Sequence, residues 1–180
     1  MKKSIVILIT FLSFHLSFPQ DKKLTKTGKV TFEASVPSFE EVKGTNESVT
    51  CILNIKTGEI ASLALIKGFR FKIALMEEHF NENYMESDTY PKATFKGVIQ
   101  GFNWNIIGTS SKEFKMKGTL VMHGRSREIN TTVKLRKIDD ALEIISDFSV
   151  NSEDFRIKIP EVVSKKVAKT VIISCNFLVK

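Results

Sequence analysis

Strict alternation of apolar and polar residues is the feature that most constrains the fold of this chain. From residue 114 to 120, Phe, Met, Gly and Leu alternate with Lys, Lys and Thr. The same period of two recurs in stretch after stretch from residue 28 to residue 179. A period of two places successive side chains on opposite faces of a strand, whereas a helix repeats every 3.6 residues. The pattern predicts an all-β domain of about eight strands.

The same alternation indicates an antiparallel sheet with one apolar and one polar face. Purely parallel sheets bury both faces and therefore consist of continuous apolar runs. Short turn-like pairs, such as Thr57-Gly58, His123-Gly124 and Asp139-Asp140, separate the stretches, and parallel strands would need connections of a dozen residues or more. Eight antiparallel strands suit a closed barrel, which has no exposed edges and can hold one ligand. A two-sheet sandwich has the same periodicity and remains the structural alternative.

One segment interrupts the strands. Between Ala74 and Met85 the alternation stops, and Met76, Phe80 and Tyr84 lie four residues apart. That spacing places the three side chains on one face of a helix. We expect one short amphipathic helix that lies over one end or one side of the barrel.

The beginning of the chain has the form of a secretory signal peptide. Two lysines precede an apolar run from Ile5 to Leu12, and a charged stretch begins at Asp21. The run is too short to be a permanent membrane-spanning helix. We predict a signal peptide over residues 1–20, cleaved near Gln20, and one domain over residues 21–180. The protein is then expected to be periplasmic or secreted.

The basic residues are scattered along the sequence, although the net charge is +7. The densest groups are Arg125/Arg127 and Lys165/Lys166/Lys169. Proteins that bind nucleic acid concentrate Lys and Arg on one face, whereas here they mostly alternate with apolar residues. We predict no nucleic-acid partner. Weak, transient attraction to an anionic membrane surface remains open, and so does the oligomeric state, including a homodimer.

Two cysteines, Cys51 and Cys175, lie far apart in the sequence. Export would permit a disulfide between them. Both fall on apolar faces of predicted strands, where buried free thiols are equally well accommodated. Pairing requires Cα atoms within about 7 Å, so the sequence leaves both alternatives open.

The sequence contains no recognisable catalytic or metal-binding motif. Of three histidines, His15 falls in the predicted signal peptide, and His79 and His123 are isolated. A zinc site needs three or four ligands at recognisable spacing, and the chain has no H-E-x-x-H, G-x-S-x-G or phosphate-binding glycine motif. We predict that neither His79 nor His123 is catalytic or a metal ligand, and that the protein is not an enzyme and has no cofactor.

Three segments, in order, carry a resemblance to a known family. They are EHFNENYMESDTYPKATF at residues 78–95, KGTL at 117–120 followed by His123-Gly124, and DFRIKIP at 154–160. Together they resemble the motifs of the YceI-like family over nearly all of the predicted mature chain. The resemblance implies a lipocalin-like eight-stranded antiparallel barrel, exported in bacteria, that holds an isoprenoid or another long-chain lipid. The chain departs from the family in its short N-terminal part and in Arg156, where members often have a small residue.

The resemblance and the apolar strand faces together favour a lipid-binding protein. We expect an apolar barrel cavity that holds a polyisoprenoid or other long-chain lipid, with the protein acting as carrier, store or scavenger. The alternative is a structural or interaction protein of the envelope stress response, with a filled barrel and no ligand. An enzyme ranks third. The volume left free inside the barrel distinguishes a ligand-binding protein from a filled one.

The predicted cavity lining consists of large apolar residues, in a chain with 14 Phe but one Trp and two Tyr. Most are assigned by strand alternation, Phe80 by helical spacing, and Phe69 and Phe71 from a stretch where the alternation is blurred. The candidates are Phe32, Phe69, Phe71, Phe80, Phe95, Phe114, Met116, Leu120, Ile129 and Phe148. Two interior hydroxyls, Thr131 and Ser146, could contact a polar head group or be satisfied within the core.

Overall fold

Every pairing between strands in the computed structural model, which describes residues 21–180, is antiparallel. The signal peptide predicted for residues 1–20 lies outside the described residues. The strands are β1 (Lys22–Ser35), β2 (Lys43–Asn54), β3 (Glu59–Leu65), β4 (Arg70–Phe71), β5 (Lys92–Ile99), β6 (Lys112–Met122), β7 (Arg125–Ile138), β8 (Ala141–Asn151) and β9 (Val167–Val179).

The sheet closes on itself through β1. This strand pairs with β2 along one edge and with β9 along the other, and the order around the barrel is β1, β9, β8, β7, β6, β5, β3, β2. The two-residue β4 adds to the start of β2, where Gly44 lies opposite Phe71. The predicted eight-stranded antiparallel barrel is therefore confirmed. The sandwich alternative is wrong, because hydrogen bonding continues around the whole sheet.

Two of the predicted turns are two-residue hairpin connections. His123 and Gly124 join β6 to β7 with φ angles of 48° and 67°, and Met122 pairs with Arg125 across the turn. Positive φ at both central residues gives the turn whose twist matches that of the flanking strands. Asp139, with φ 51°, begins the two-residue turn between β7 and β8, in which Asp140 does not have a positive φ.

The connections at the two ends of the barrel differ in length. At one end, which we call the mouth, the long connections 36–42, 66–91 and 152–166 leave the strands. At the opposite end, which we call the closed end, lie the chain end at residue 180, the turn at 55–58, the connection 100–111 and the hairpin turn between β7 and β8. The mouth therefore has the longer chain segments from which a binding site can be built.

Most of the short helical segments also lie at the mouth. The first is α1 (Ala74–His79), which continues into a π-helical turn over Phe80–Tyr84 that ends with Met85 donating to the Phe80 carbonyl. The predicted short amphipathic helix is thus confirmed, with a wider turn in its second half. Single 3-10 turns lie at Ile66–Gly68, Trp104–Ile106, Ser152–Phe155 and Glu161–Val163. Within residues 21–180, no helix is both long enough and apolar enough to cross a membrane.

The closed end of the barrel is filled with side chains. Its residues are fully or almost fully buried and belong to one contiguous apolar cluster: Leu53, Ile99, Ile107, Leu135, Leu142 and Val179. Trp104 packs against this cluster from the connection 100–111. The Nζ atom of Lys137 lies 4.6 Å from the centre of the Trp104 ring, within the range of a cation–π contact. This packing stops the barrel interior from running through to the closed end.

Candidate ligand cavity

A cavity of about 360 Å³ occupies the part of the barrel nearest the mouth. Seven of the eight barrel strands contribute to its wall, and β7 does not. Among the lining residues, only Glu40 and Lys166 have side chains that ordinarily carry charge near neutral pH, and both belong to connections at the mouth rather than to strands. Below the mouth, apolar side chains form nearly the whole wall. A pocket of this volume and character suits an apolar small molecule.

The structure brings together eight of the ten residues predicted from the sequence. Those that line the cavity are Phe32, Phe69, Phe71, Phe80, Phe95, Met116, Leu120 and Phe148. Phe114 and Ile129 lie outside its lining. Phe114 packs against the cluster that fills the closed end, with the Lys112 ammonium 5.8 Å from its ring centre. Ile129 is buried in a second apolar cluster with Leu120, Val150 and Phe155.

Four phenylalanines form one aromatic cluster between the barrel wall and the mouth. Phe32 makes edge-to-face contacts with Phe69 and Phe71, in both cases with ring centroids 5.5 Å apart. Phe80 contacts Phe69 and Phe71 at 5.7 Å and 5.1 Å. These distances are those of favourable aromatic pairs. The cluster therefore joins the helical segment to strand β1 and forms part of the cavity wall.

The helical segment over residues 74–84, which we call the cover, lies across the mouth. Its Met76, Phe80 and Tyr84 all line the cavity, which is the face that their spacing of four predicts. No residue of the cover is fully buried. Glu77 fixes one end, because its carboxylate accepts hydrogen bonds from Arg70 Nη1 at 2.8 Å and from the Phe71 backbone N–H at 3.1 Å.

A buried histidine links the chain just after the cover to two other mouth segments. The Nδ1 of His123 lies 2.9 Å from the Phe155 carbonyl oxygen and donates to it, because a carbonyl can only accept. Its Nε2 lies 2.8 Å from Glu86 Oε2, and the Tyr90 ring packs at 4.6 Å from the imidazole. Both ring nitrogens are thus engaged in structural contacts. His79, by contrast, is exposed at the mouth.

The interior hydroxyls considered above have protein partners. Ser146 lines the cavity, and its hydroxyl donates to the Thr132 carbonyl at 2.8 Å. Thr131 does not line the cavity and donates to the Asp147 carbonyl at 3.1 Å. Ser152, which the sequence did not single out, also lines the cavity, and its buried hydroxyl has no hydrogen-bond partner among the described residues.

Both cysteines are free thiols. Cys51 is buried in β2, and Cys175 lines the cavity from β9. Burial, together with the nearby Cys175, raises the pKa of Cys51 from 9.0 to about 12. Burial, and then the charge of Asp147, raises the pKa of Cys175 to about 12 as well. Thiols that stay protonated are poor nucleophiles and poor metal ligands.

Several lining residues were not predicted from the sequence. Val171 and Ile173 of β9 follow the alternation that was visible in the last strand, so their inward orientation could have been inferred. Ile157, Ile159 and Val163 lie on the connection between β8 and β9, where no periodic pattern marks the residues that face inward. Among the described residues, no group of three or more His, Cys, Asp or Glu side chains could hold a metal ion.

Solved structures share this fold. A polyisoprenoid binding domain from Saccharophagus degradans, described as implicated in plant cell wall breakdown, superposes with a TM-score of 0.77 at 13% identity, over 89% of this chain and 98% of that one. BcnA from Burkholderia cenocepacia gives 0.70 at 16% identity, over 85% and 96%. The YCEI protein from Campylobacter jejuni gives 0.52 at 15% identity, over 100% and 99%.

The sequence comparisons agree with the resemblance noted from the motifs. No curated protein matches the chain by sequence. The model of the YceI-like domain matches residues 15–178, which is most of the chain. The chain therefore belongs to the YceI-like family.

Proposed function

We propose that this protein binds a polyisoprenoid or another long-chain lipid in its barrel cavity, as a carrier, store or scavenger. The observation that carries the proposal is the cavity itself, which is about 360 Å³ in volume and almost wholly apolar below the mouth. The phenylalanines Phe32, Phe80, Phe95 and Phe148 contribute to that wall. A barrel whose interior is filled by its own side chains would not have such an apolar wall free for a ligand.

The energetics of such a site need no special polar motif. Burial of apolar surface contributes about 25 cal/mol per Å², so a chain that buries about 300 Å² gains about 7.5 kcal/mol before the entropic costs of binding. The interaction is non-directional. A binding protein of this kind can therefore lack every sequence signature of catalysis.

Membership of the YceI-like family supports the proposed ligand class. The Saccharophagus degradans structure that shares this fold is a polyisoprenoid binding domain, and we extend that class of ligand to this chain. The alternative of a filled barrel has its support only at the closed end, where the interior is packed. We further propose that the protein binds rather than catalyses, because the cavity wall is almost wholly apolar below the mouth and the buried His123 is not part of its lining.

We also propose that residues 1–20 are removed and that the mature protein, residues 21–180, is exported. The two lysines and the short apolar run that follows them support this step. Amino-terminal sequencing of protein from an envelope fraction tests it. A mature chain that begins close to Asp21 is the expected result, and an intact Met1 in the cytoplasm would refute export.

The binding proposal is tested on the full chain, expressed with its own N-terminus in a bacterium and purified without detergent. Native mass spectrometry is expected to show a mass excess of one lipid, and organic extraction is expected to release a prenyl or acyl chain. Delipidated protein is expected to take up a fluorescent prenyl or acyl probe. Protein that carries no extractable lipid and binds neither probe would refute the proposal.

A further inference from the structure

The mouth of the barrel has two sides of opposite charge. Between residues 156 and 169 the chain has five basic residues and one acidic residue. Between residues 77 and 88, over the cover and the chain that follows it, there are five acidic residues and no Lys or Arg. Both stretches contribute residues to the cavity lining. Lys67 and Arg70, earlier on the same connection, pair with Asp88 and Glu77, so the asymmetry of charge at the cavity entrance rests on the carboxylates and lysines that remain unpaired.

The basic side also presents large apolar side chains to solvent. Val162 is 87% exposed at the tip of the connection between β8 and β9, and Phe39 is 48% exposed on the connection between β1 and β2. The two connections are neighbours, because Ser35 at the end of β1 pairs with Val167 at the start of β9. A side chain as exposed as Val162 contributes almost nothing to the stability of the isolated barrel.

The lysines that surround Val162 are largely free of internal partners. Lys158, Lys165 and Lys166 are exposed, and within residues 21–180 none of them forms an ion pair. Three carboxylates lie close by in sequence, Glu161, Glu40 and Glu41, and Glu41 is paired with Lys43. We define the basic rim as Phe39, Lys158, Val162, Lys165 and Lys166. It combines exposed apolar tips with surplus positive charge.

We propose that the basic rim docks on an anionic lipid bilayer, with the cavity entrance against the membrane and the acidic cover turned away from it. Apolar tips enter the boundary between head groups and acyl chains, and lysines are attracted to anionic head groups. The inference rests on the proposed lipid ligand, which is nearly insoluble and avoids water only if it passes directly from the bilayer into the cavity. On the cover side Glu77 and Asp88 are paired with Arg70 and Lys67, but Glu78 and Glu82 form no ion pair within residues 21–180 and would be repelled by the same membrane, so charge favours this orientation.

The test compares two matched double variants in vesicle flotation. Val162→Ser with Lys165→Gln changes the rim at two positions outside the cavity lining. Ile106→Ser with Lys134→Gln likewise replaces one exposed aliphatic side chain with Ser and one Lys with Gln, but away from the rim. Ile106 is 48% exposed in the 3-10 turn at the closed end, and Lys134 is exposed on the barrel wall. Vesicles contain either equal parts of phosphatidylglycerol and phosphatidylcholine or phosphatidylcholine alone.

The unmodified protein is expected to float with the anionic vesicles and to bind the neutral ones at least about tenfold more weakly. The rim variant is expected to lose about tenfold in partitioning to anionic vesicles, and the closed-end variant is expected to behave like the unmodified protein. Equal binding to both vesicles, an unchanged rim variant or an equally impaired closed-end variant would overturn the proposal. The proposal would also be overturned if the unmodified protein formed a dimer that buries the rim and that Val162→Ser dissociates.

A second measurement separates this proposal from the binding function. The rim variant is expected to bind a prenyl probe in solution with unchanged affinity but to receive it from anionic vesicles about tenfold more slowly. If no protein binds the probe, the proposed function fails. If the probe binds but its transfer rate from vesicles is the same in both variants, only the docking proposal fails.

Discussion

Phe80 of the cover stacks on Phe32 of strand β1, with ring centroids 4.9 Å apart and planes inclined by 17°. The contact joins a segment without any fully buried residue to the wall of the barrel. The same ring also meets Phe69 and Phe71, so one side chain attaches the middle of the cover to three other phenylalanines. The cover thus depends on a small number of contacts for its position over the cavity.

Replacing Phe80 with Ala is expected to loosen the cover while the barrel stays folded. Loss of the half-buried ring and its aromatic contacts is expected to lower the free energy of unfolding by about 2 kcal/mol. Hydrogen exchange followed by mass spectrometry is expected to show faster exchange over residues 74–84 and little change in β6 and β7. Leu75→Ala, on the same helix but 57% exposed, is the control and is expected to change stability by less than about 0.5 kcal/mol. Unchanged exchange in the Phe80 variant would contradict the role of the aromatic cluster.

A larger side chain at Met116 is expected to occupy the cavity. Met116 is only 6% exposed and lines the cavity from β6, so Met116→Trp adds volume where the ligand is proposed to lie. We expect loss of prenyl-probe binding with a decrease of about 1–3 kcal/mol in the free energy of unfolding. Val98→Trp, on the outer face of β5 and 38% exposed, is expected to leave probe affinity unchanged. Full probe affinity in the Met116 variant would argue against this position of the ligand.

Removal of His123 is expected to destabilise the mouth. His123→Ala leaves the carbonyl of the buried Phe155 without its donor, and a buried group that loses its only side-chain partner costs about 1–3 kcal/mol. Chemical denaturation measures the change. His79→Ala is the comparison, and because His79 is exposed we expect an effect below about 0.5 kcal/mol. Equal effects of the two substitutions would show that the contacts with Phe155 and Glu86 contribute nothing measurable.

The buried thiols predict a loss of stability at high pH. The pKa values of Cys51 and Cys175 are raised from 9.0 to about 12 in the folded protein, so between these values the unfolded chain releases protons that the folded chain retains. The free energy of unfolding therefore falls as pH rises above about 9, by up to about 1.4 kcal/mol per pH unit for each thiol. Below pH 9 both forms are protonated and the contribution is constant.

Urea denaturation at pH 8 and pH 10 measures this slope. A variant with Cys51→Val and Cys175→Val lacks both thiols and serves as the control, because its lysines and tyrosines titrate as before. The difference between the two slopes is expected to show the unmodified protein losing more stability. Parallel slopes would mean that the thiols ionise equally in both states.

The sequence was sufficient to predict the orientation of strand residues but not their height in the barrel. Alternation placed Phe95, Met116 and Leu120 on the inner face, where the structure has them. Ile129 obeys the same rule, but it is buried near the mouth in the second apolar cluster with Phe155. Phe114 also obeys it and lies too far down, against the cluster that fills the closed end. Barrel strands are tilted and staggered, so the depth of a residue depends on the register with its neighbours. Packing at the closed end then decides how far down the cavity extends.

The mouth was the least predictable part, because irregular chain leaves no period to follow. In the connection that holds Ile157 and Ile159, Arg156 follows the 3-10 turn and adopts φ 58° in the left-handed region. Glycine takes this conformation without steric cost, which accounts for the small residue that the family often has at this position. The sequence also could not predict whether Cys51 and Cys175 form a disulfide, because that depends on the distance between β2 and β9, two strands that are not paired with each other.

A barrel that is packed at one end, with its cavity reached only past the cover at the other, has a single entrance for a ligand. A ligand must leave by the opening through which it entered, and whichever end of the molecule goes in first is the last to come out. If the protein acts as the proposed lipid carrier, it can therefore present only the trailing end of its bound lipid to a receiver. Delivery by such a protein requires the receiver to approach the same opening as the donor, so loading and unloading at that entrance exclude each other in time.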